Sequence, residues 1–268
     1  MLTIAVLNYN GEGILRKCLQ SIRDQTKQPD EIFVIDNAST DKSWYIADEF
    51  RYNIIHAHNE HRLITGLNLA QRFCKDWLFF MENDVILNSN CLEEMMNNVQ
   101  HYERTAIYQP VFYRKDGSID NSGMDIVWPG YGIGRRKKWW DRYLVDDCGI
   151  VSDIAFLTSK EVIEKVGKYD ENFSPGYYED LDWGLRSKKL GIKHRLVTTA
   201  KAIHLSNYSY SKVYDKKELS SICHTNRLKL INKHYSGLAK TARVATVNLI
   251  DKITGIAGLV GSPPKPPN

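Results

Sequence analysis

The chain has 268 residues, 43% hydrophobic and 25% charged, which suits one globular α/β domain with an extension and excludes a disordered or fibrous protein. Its net charge of +4 suits an anionic ligand or a membrane surface, but is too small to indicate nucleic-acid binding. Five scattered cysteines without a CxxC pair argue against a disulfide framework and a zinc site, and predict a reduced, cytoplasmic protein. We expect neither a secretory signal nor a membrane-spanning helix.

Strands and helices alternate through the first hundred residues. Apolar runs with β-branched residues predict strands at 2–7, 31–35, 54–58 and 77–81. Helical spacing predicts helices at 12–25 and 63–74, and Ser39 or Thr40 offers a cap for another helix. Strand and helix in alternation require right-handed crossovers, which indicates an α/β fold with a mainly parallel sheet flanked by helices.

Polar side chains follow each of these four strands. They are Asn8 and Asn10 after the first strand, Asp36 after the second, Asn59 after the third, and Glu82, Asn83 and Asp84 after the fourth. Loops are polar in general. In parallel sheets, however, ligands bind at the carboxyl ends of the strands, so the pattern favours a site where these groups converge.

The second half of the chain is less regular. The predicted elements are a helix at 89–101, strands at 106–113 and 154–157, helices at 159–166 and 181–190, strands at 192–197 and 202–205, and helices from 216 onwards. Residues 120–150, rich in Gly, Trp and basic residues, predict a long irregular insert, which is more often functional than idle. The Pro-rich end predicts a disordered tail.

Five ordered motifs resemble the inverting nucleotide-sugar glycosyltransferases of family 2, which have the GT-A fold. The matching segments are "TIAVLNYNGEGILRKCLQSIRDQT", "DEIFVIDNASTD", "MENDVIL", "DIAFLTSKEVIEKVGKYDENF" and "YYEDLDWGLRSKKLGIK", followed by "AIHL". Each motif alone is weak, but five in the family's order argue against chance. The resemblance implies a GT-A domain at 1–210, divided into a nucleotide-sugar-binding half (1–100) and an acceptor-binding, catalytic half (101–210). A helical extension (211–261) and the tail (262–268) follow.

The resemblance also implies the reaction and its cofactor. A sugar passes from a UDP-, dTDP- or GDP-sugar to a hydroxyl of a glycan or lipid-linked acceptor, in polysaccharide or glycoconjugate biosynthesis. The departing diphosphate is anionic, and Mn²⁺ or Mg²⁺ would offset its charge. Asp84 occupies the last position of the family's Asp-x-Asp motif and is the implied metal ligand. His204 would complete the metal shell or contact the diphosphate, although a lone histidine is usually structural.

The donor-binding residues are likewise implied by the resemblance. They are Asn8, Asn10, Asp36, Asn59, Gly66, Asn68, Glu82, Asn83 and Asp153. Asp36 would accept hydrogen bonds from the nucleoside. Asn8 replaces the family's threonine, and Glu82 replaces its first aspartate with a longer side chain. Arg62 could contact a phosphate or simply lie exposed.

The segment "YYEDLDW" matches the family's Glu-Asp motif, so Asp180 is the implied general base with Glu179 beside it. Three acids in four residues would raise one another's proton affinity. Asp182 and Arg186, four residues apart, predict a structural ion pair. The N-terminus of a helix also attracts acids for purely structural reasons.

Three tryptophans and the C-terminal segment remain open. Trp128, Trp139 and Trp140 could stack on an acceptor sugar or anchor the core. Residues 238–260 could lie on the cytoplasmic face of an anionic membrane or join two copies of the chain, but packing on the domain is favoured. A nucleotidyltransferase would want a basic Gly-rich loop where "NYNGEGIL" has an acid, and a non-catalytic binder would not need Asp180.

Overall fold

The structure, a computed structural model, describes residues 1–57, 63–101, 103–136, 145–205 and 214–254. The helices in these ranges are α1 Leu15–Arg23, α2 Ser43–Glu49, α3 Leu63–Phe73, α4 Cys91–His101, α5 Lys160–Val166, α6 Glu179–Lys189, α7 Lys216–His234 and α8 Gly237–Thr254. The strands are β1 Leu2–Asn8, β2 Glu31–Asp36, β3 Asn53–His56, β4 Trp77–Glu82, β5 Val85–Leu87, β6 Ala106–Tyr113, β7 Ile119–Asn121, β8 Met124–Val127, β9 Tyr131–Gly134, β10 Val145–Asp147, β11 Ala155–Ser159 and β12 Lys193–His204.

One mixed sheet runs through the molecule in the order β3-β2-β1-β4-β11-β6-β12-β10. Its first four strands are parallel, β11 runs antiparallel between β4 and β6, and β12 is parallel to β6. The short β5 pairs with the end of β12. The predicted α/β class is therefore confirmed. The register places Asn8 beside Asp36 and Leu7 beside Glu82, so three strand ends meet at one edge.

Helices cover the sheet on both faces, which explains the continuous apolar strands. Along β1, Ile4 and Val6 face one buried cluster, formed with α1, α2 and α4. Ala5 and Leu7 face the other cluster, which includes side chains of α3, α5, α6 and α7. A strand buried on both sides gains by being apolar at every position rather than at alternate ones.

The prediction of an irregular insert at 120–150 is wrong for most of the described residues in this segment. It contains β7, the hairpin of β8 and β9, and β10. These strands are only three or four residues long. β8 and β9 pair with each other, while β7 pairs with β6 and β10 with β12, outside the segment. Periodicity over so few residues carries little information, so the sequence pattern could not distinguish them from loop.

Several element boundaries also differ from the sequence-based expectations, and three of these differences change the role of a residue or an element. The closing strands at 192–197 and 202–205 form one strand, β12, interrupted by a bulge between Val197 and Lys201. Helix α2 begins at Ser43, so neither Ser39 nor Thr40 is its cap; the Ser39 hydroxyl instead accepts from the Asn10 backbone N–H. Helix α6 begins at Glu179, two residues earlier than predicted, which places Glu179 and Asp180 in its first turn.

The two C-terminal helices pack on the rest of the fold. Asn226 and Arg227 of α7 are fully buried, as is Val247 of α8. The Arg243 guanidinium of α8 lies 4.5 Å from the ring centre of Trp128, at the tip of the β8–β9 hairpin. The favoured packing of this segment is therefore seen as far as Asp251; the predicted tail lies outside the described residues. Among the described helices, none combines the length and the apolar character needed to cross a membrane.

Candidate active site

Two acids and a histidine converge where β4 ends. Glu82 is the last residue of β4, and Asp84 lies in the turn to β5. β5 pairs with β12, and His204, the last residue of β12, lies opposite Val85 of β5. One ligand atom from each of Glu82, Asp84 and His204 lies within 4.8 Å of the others. The sequence-predicted metal ligands Asp84 and His204 are thus brought together, with Glu82 beside them.

His204 is held by a carboxylate on each side. Its Nδ1 lies 2.7 Å from Asp120 Oδ2, and its Nε2 lies 3.5 Å from Asp84 Oδ2. Burial lowers the pKa of His204, but the hydrogen bonds to Asp120 and Asp84 outweigh burial and raise that pKa to about 10. Asp120 is fixed in turn by Arg114, whose Nη2 donates to its other oxygen at 2.6 Å.

Sequence reasoning missed Asp120. The dipeptide Asp116-Gly117 is a turn signal, but the sequence pattern does not show that β6 and β7 pair as a hairpin around it. In that hairpin Phe112 faces Asn121 and Tyr113 faces Ile119, which leaves Asp120 as the extra residue of a bulge. A bulge redirects one side chain. If the residues on either side of this turn are assumed to pair as antiparallel strands, Asp120 lies beside the end of β6, near the other acids.

The cluster has the chemistry of a divalent-cation site. Asp84 is 3% exposed, and its Oδ1 has no hydrogen-bond partner in the described part of the chain. A buried carboxylate oxygen without a partner is costly unless a cation or water meets it. A histidine whose Nδ1–H is held by a carboxylate presents its Nε2 as a ligand once Nε2 has lost its proton, as metal binding requires. Glu82, Asp84 and His204 therefore fit such an ion.

Asn8 links three strand ends instead of lying open to a ligand. It is fully buried, donating to Ser43 Oγ at 2.8 Å and Asp36 Oδ1 at 3.2 Å, and accepting from Asn83 at 2.8 Å. Gly11 passes so close that an added Cβ would lie 2.3 Å from Asn8 Oδ1. Asn8 and Asn83 thus orient Asp36, whose Oδ2 lies 3.4 Å from His56 Nδ1.

The other residues predicted to contact the donor or the acceptor divide into three groups. Asn10, at a positive φ of 46°, accepts from the backbone of Thr40 at 2.8 Å and so shapes the loop after β2. Asn59 and Arg62 lie outside the described residues. Trp139 and Trp140 also lie outside them, while Trp128 is 54% exposed beneath Arg243.

Gly66 and Asn68 of α3 have packing roles. A Cβ on Gly66 would lie 2.2 Å from Leu7 Cδ1, so glycine permits close contact between helix and sheet. Asn68 accepts from the Tyr169 backbone N–H at 2.8 Å and donates to the Tyr169 carbonyl at 3.1 Å. Its amide is therefore engaged within the fold, and these contacts give no support to the predicted binding of the donor by either residue.

A second group of acids adjoins the cluster of Glu82, Asp84 and His204. Burial raises the pKa of Glu179, and the charges of Asp153 and Asp180 raise it further. Burial likewise raises the pKa of Asp180, with Asp153 adding to the effect. The pKa of Glu82 is raised as well, first by burial and then by the charges of Asp84, Asp153 and Asp180. The acids of both groups therefore lie close enough to share one electrostatic environment.

Within this group the roles differ. Asp153 and Glu179 share a hydrogen bond, and each keeps a buried oxygen, Oδ2 and Oε2, without a partner among the described residues. Asp180 is half-buried, and its Oδ1 accepts from the Leu181 N–H at 2.7 Å. Of these three acids it is therefore the one placed to meet a ligand that enters the site.

Asp182, one turn into α6, belongs to the scaffold. The predicted ion pair with Arg186 is confirmed at 2.9 Å. Burial alone would raise the pKa of Asp182, but hydrogen bonds from His234 and Lys233 outweigh it and lower that pKa to about 2. These partners belong to α7, so α7 is attached to α6, the helix that carries Asp180.

A family model for glycosyl transferase family 2 matches residues 3–167. The chain belongs to this family. The match includes the strand ends from Asn8 to Asp153 but stops before Asp180 and His204, so the roles of those two residues depend on the geometry described above.

Relatives of this family 2 chain include the glycosyltransferase GlyG of Streptococcus pneumoniae serotype 4, 27% identical over 127 residues (45% of this chain, 42% of GlyG). The O-antigen chain rhamnosyltransferase WbaN of Salmonella anatum is 24% identical over 216 residues (77% of this chain, 67% of WbaN). The chain thus spans less than half of GlyG and two thirds of WbaN.

Solved structures confirm the GT-A fold of this family 2 chain. GalNAc-T7, crystallised with UDP, GalNAc and Mn²⁺, superposes with a TM-score of 0.71 at 14% identity, covering 87% of this chain and 47% of its own. TarS of S. aureus gives a TM-score of 0.58 at 12% identity, covering 94% of this chain and 42% of its own. Identities this low establish the fold alone.

Proposed function

We propose that the protein is an inverting glycosyltransferase that moves a sugar from a nucleoside-diphosphate sugar to a hydroxyl of a glycan or lipid-linked acceptor. One observation carries this proposal: the cluster of Glu82, Asp84 and His204, which could hold a cation, adjoins a half-buried carboxyl, Asp180. The relatives that are O-antigen chain rhamnosyltransferases, and the neighbour crystallised with UDP and Mn²⁺, support it. We assign it to polysaccharide or glycoconjugate biosynthesis.

Asp180 is the general base of this proposal. It takes the proton of the acceptor hydroxyl as that oxygen attacks the anomeric carbon, on the face opposite the diphosphate. The new C–O bond forms as the bond to the diphosphate oxygen breaks, which inverts the anomeric centre. A carboxyl with a raised pKa accepts a proton more readily than an exposed one, and the neighbouring acids maintain that raised value.

Residues at the ends of the strands would bind the leaving group. Glu82, Asp84 and His204 would hold Mn²⁺ or Mg²⁺, which when bound offsets the charge that develops on the diphosphate. Asp36, oriented by Asn8 at the end of β2, would accept hydrogen bonds from the nucleoside. Donor and acceptor would therefore meet between the ends of β4 and α6.

A screen of nucleotide sugars by thermal unfolding tests the proposal. We expect one UDP-, dTDP- or GDP-sugar, at about 100 times its Kd with Mn²⁺, to raise the Tm by roughly 5–10 °C. The same sugar nucleotide in EDTA should give a much smaller rise, because the diphosphate would lack its cation. Sugar nucleotides that leave the Tm unchanged throughout would contradict the proposed donor class.

Asp120→Asn should weaken the cation site without removing any of its three ligands. The neutral amide cannot hold the His204 ring as the carboxylate does, so we expect Mn²⁺ affinity, measured by calorimetry, to fall by about 10- to 100-fold. Asp116→Asn, in the exposed turn of the same hairpin, is the control and should bind like the wild type. Equal affinities in the two variants would show that Asp120 does not support the site.

A further inference from the structure

The loop that enters α6 has an unfavourable backbone. Residues 174–178 connect the 3₁₀ turn Glu171–Phe173 to Glu179 and Asp180. Tyr177 and Tyr178 have φ values of 68° and 75°, two successive left-handed residues that both carry a Cβ. Such residues persist only where the surrounding structure holds them. The contacts that hold this loop therefore also determine where Asp180 lies.

The side chain of Asn226, on α7, binds backbone carbonyl oxygens of this loop. The side chain is 1% exposed, and its Nδ2 donates to the carbonyls of Phe173 at 2.7 Å, Gly176 at 2.9 Å and Tyr177 at 3.1 Å. Its Oδ1 accepts from Lys229 Nζ at 3.0 Å. Carbonyls only accept and an ammonium only donates, so the orientation of the amide follows from its partners.

Arg227, the next residue, holds the same loop by a side chain. Its Nε donates to the Tyr178 hydroxyl at 2.9 Å, and its guanidinium lies 3.8 Å from the ring centre of Tyr131. Arg227 is fully buried. Two consecutive residues of α7 thus fix the last residues before Glu179, one through carbonyl oxygens and one through a phenol.

We propose that Asn226 is a positioning residue of the transfer reaction, acting through Asp180. The inference rests on the proposed function, because it gives Asp180 the role of base. Displacement of a reacting group by about 1 Å can cost roughly 100-fold in rate. Helix α7 lies beyond the segment that matches the family, residues 3–167, yet it completes the catalytic half.

Asn226→Ala should lower kcat by about 10- to 100-fold and leave the KM for the donor within about twofold. Amide hydrogen exchange in peptides covering residues 174–182 should become faster. Leu230→Ala is the matched control: Leu230 is fully buried on the same helix, and its apolar side chain cannot bind the carbonyls. It should lower the Tm but keep kcat at 25 °C and leave exchange in that peptide unchanged.

Asn226→Ser provides a milder variant that keeps one donor, and its kcat should fall between those of the wild type and Asn226→Ala. Unchanged kcat and exchange in Asn226→Ala would overturn the inference. So would a loss of kcat in Leu230→Ala equal to that in Asn226→Ala. A wild-type protein inactive with every sugar nucleotide would overturn the proposed function instead, and the exchange measurement would still decide whether Asn226 holds the loop.

Discussion

Asp180→Asn should lose sugar transfer by about 10³-fold while binding the donor as the wild type does. The amide has the size of the carboxyl but cannot take a proton from the acceptor hydroxyl, and general-base catalysis contributes roughly 10²–10⁴-fold. The Oδ1 of either side chain can accept from the Leu181 N–H, so the first turn of α6 should remain intact. Single-turnover transfer and donor calorimetry measure the two quantities separately.

Asp170→Asn is the control for this substitution. Asp170 lies ten residues earlier, caps the 3₁₀ turn and pairs with Lys233, outside the group of acids around Asp180. Its replacement should cost some thermal stability and leave the transfer rate within about twofold. A transfer rate in Asp180→Asn that matches this control would remove Asp180 from the role of base, and the neighbouring Glu179 would become the next candidate.

The parts of the fold that the sequence predicts are those with a local signal. Strand β1 is buried on both faces and is apolar from Ile4 to Leu7, so its polar end could be located from the pattern alone. The order of parallel strands then brings Asn8, Asp36 and Glu82 to one edge. Convergence at this edge follows from topology, without any knowledge of side-chain geometry.

What the sequence did not predict depends on contacts between distant residues. Asn68 and Tyr169, which share two hydrogen bonds, are 101 positions apart, and Asn226 is 49 positions from Tyr177. An asparagine on a helix is equally consistent with a ligand contact and with a buried structural one until its partner is known. Asp120 was missed for the same reason, since its role is set by a bulge and by His204, 84 positions away.

Asp84→Asn should reduce the Mn²⁺-linked affinity for a nucleoside diphosphate by at least about 100-fold, since loss of a direct ligand should cost no less than loss of a residue behind one. The substitution removes a charge that raises the pKa of Glu82, but it also removes the carboxylate that faces His204 Nε2 at 3.5 Å. These two effects on stability oppose each other, so the protein alone should unfold at a temperature close to that of the wild type. Calorimetry with UDP, with and without Mn²⁺, measures the first effect, and thermal unfolding without metal measures the second.

Asp48→Asn, exposed on α2, is the control and should change neither quantity. Mn²⁺-linked affinity that survives in Asp84→Asn would contradict the assignment of the cation site to the end of β4. The comparison with Asp180→Asn is the stronger test, because one variant should lose binding and the other should lose transfer alone. Asp84 and Asp180 lie in one electrostatic environment. Loss of binding in one variant and loss of transfer alone in the other would therefore mean that Asp84 acts on the leaving group and Asp180 on the acceptor.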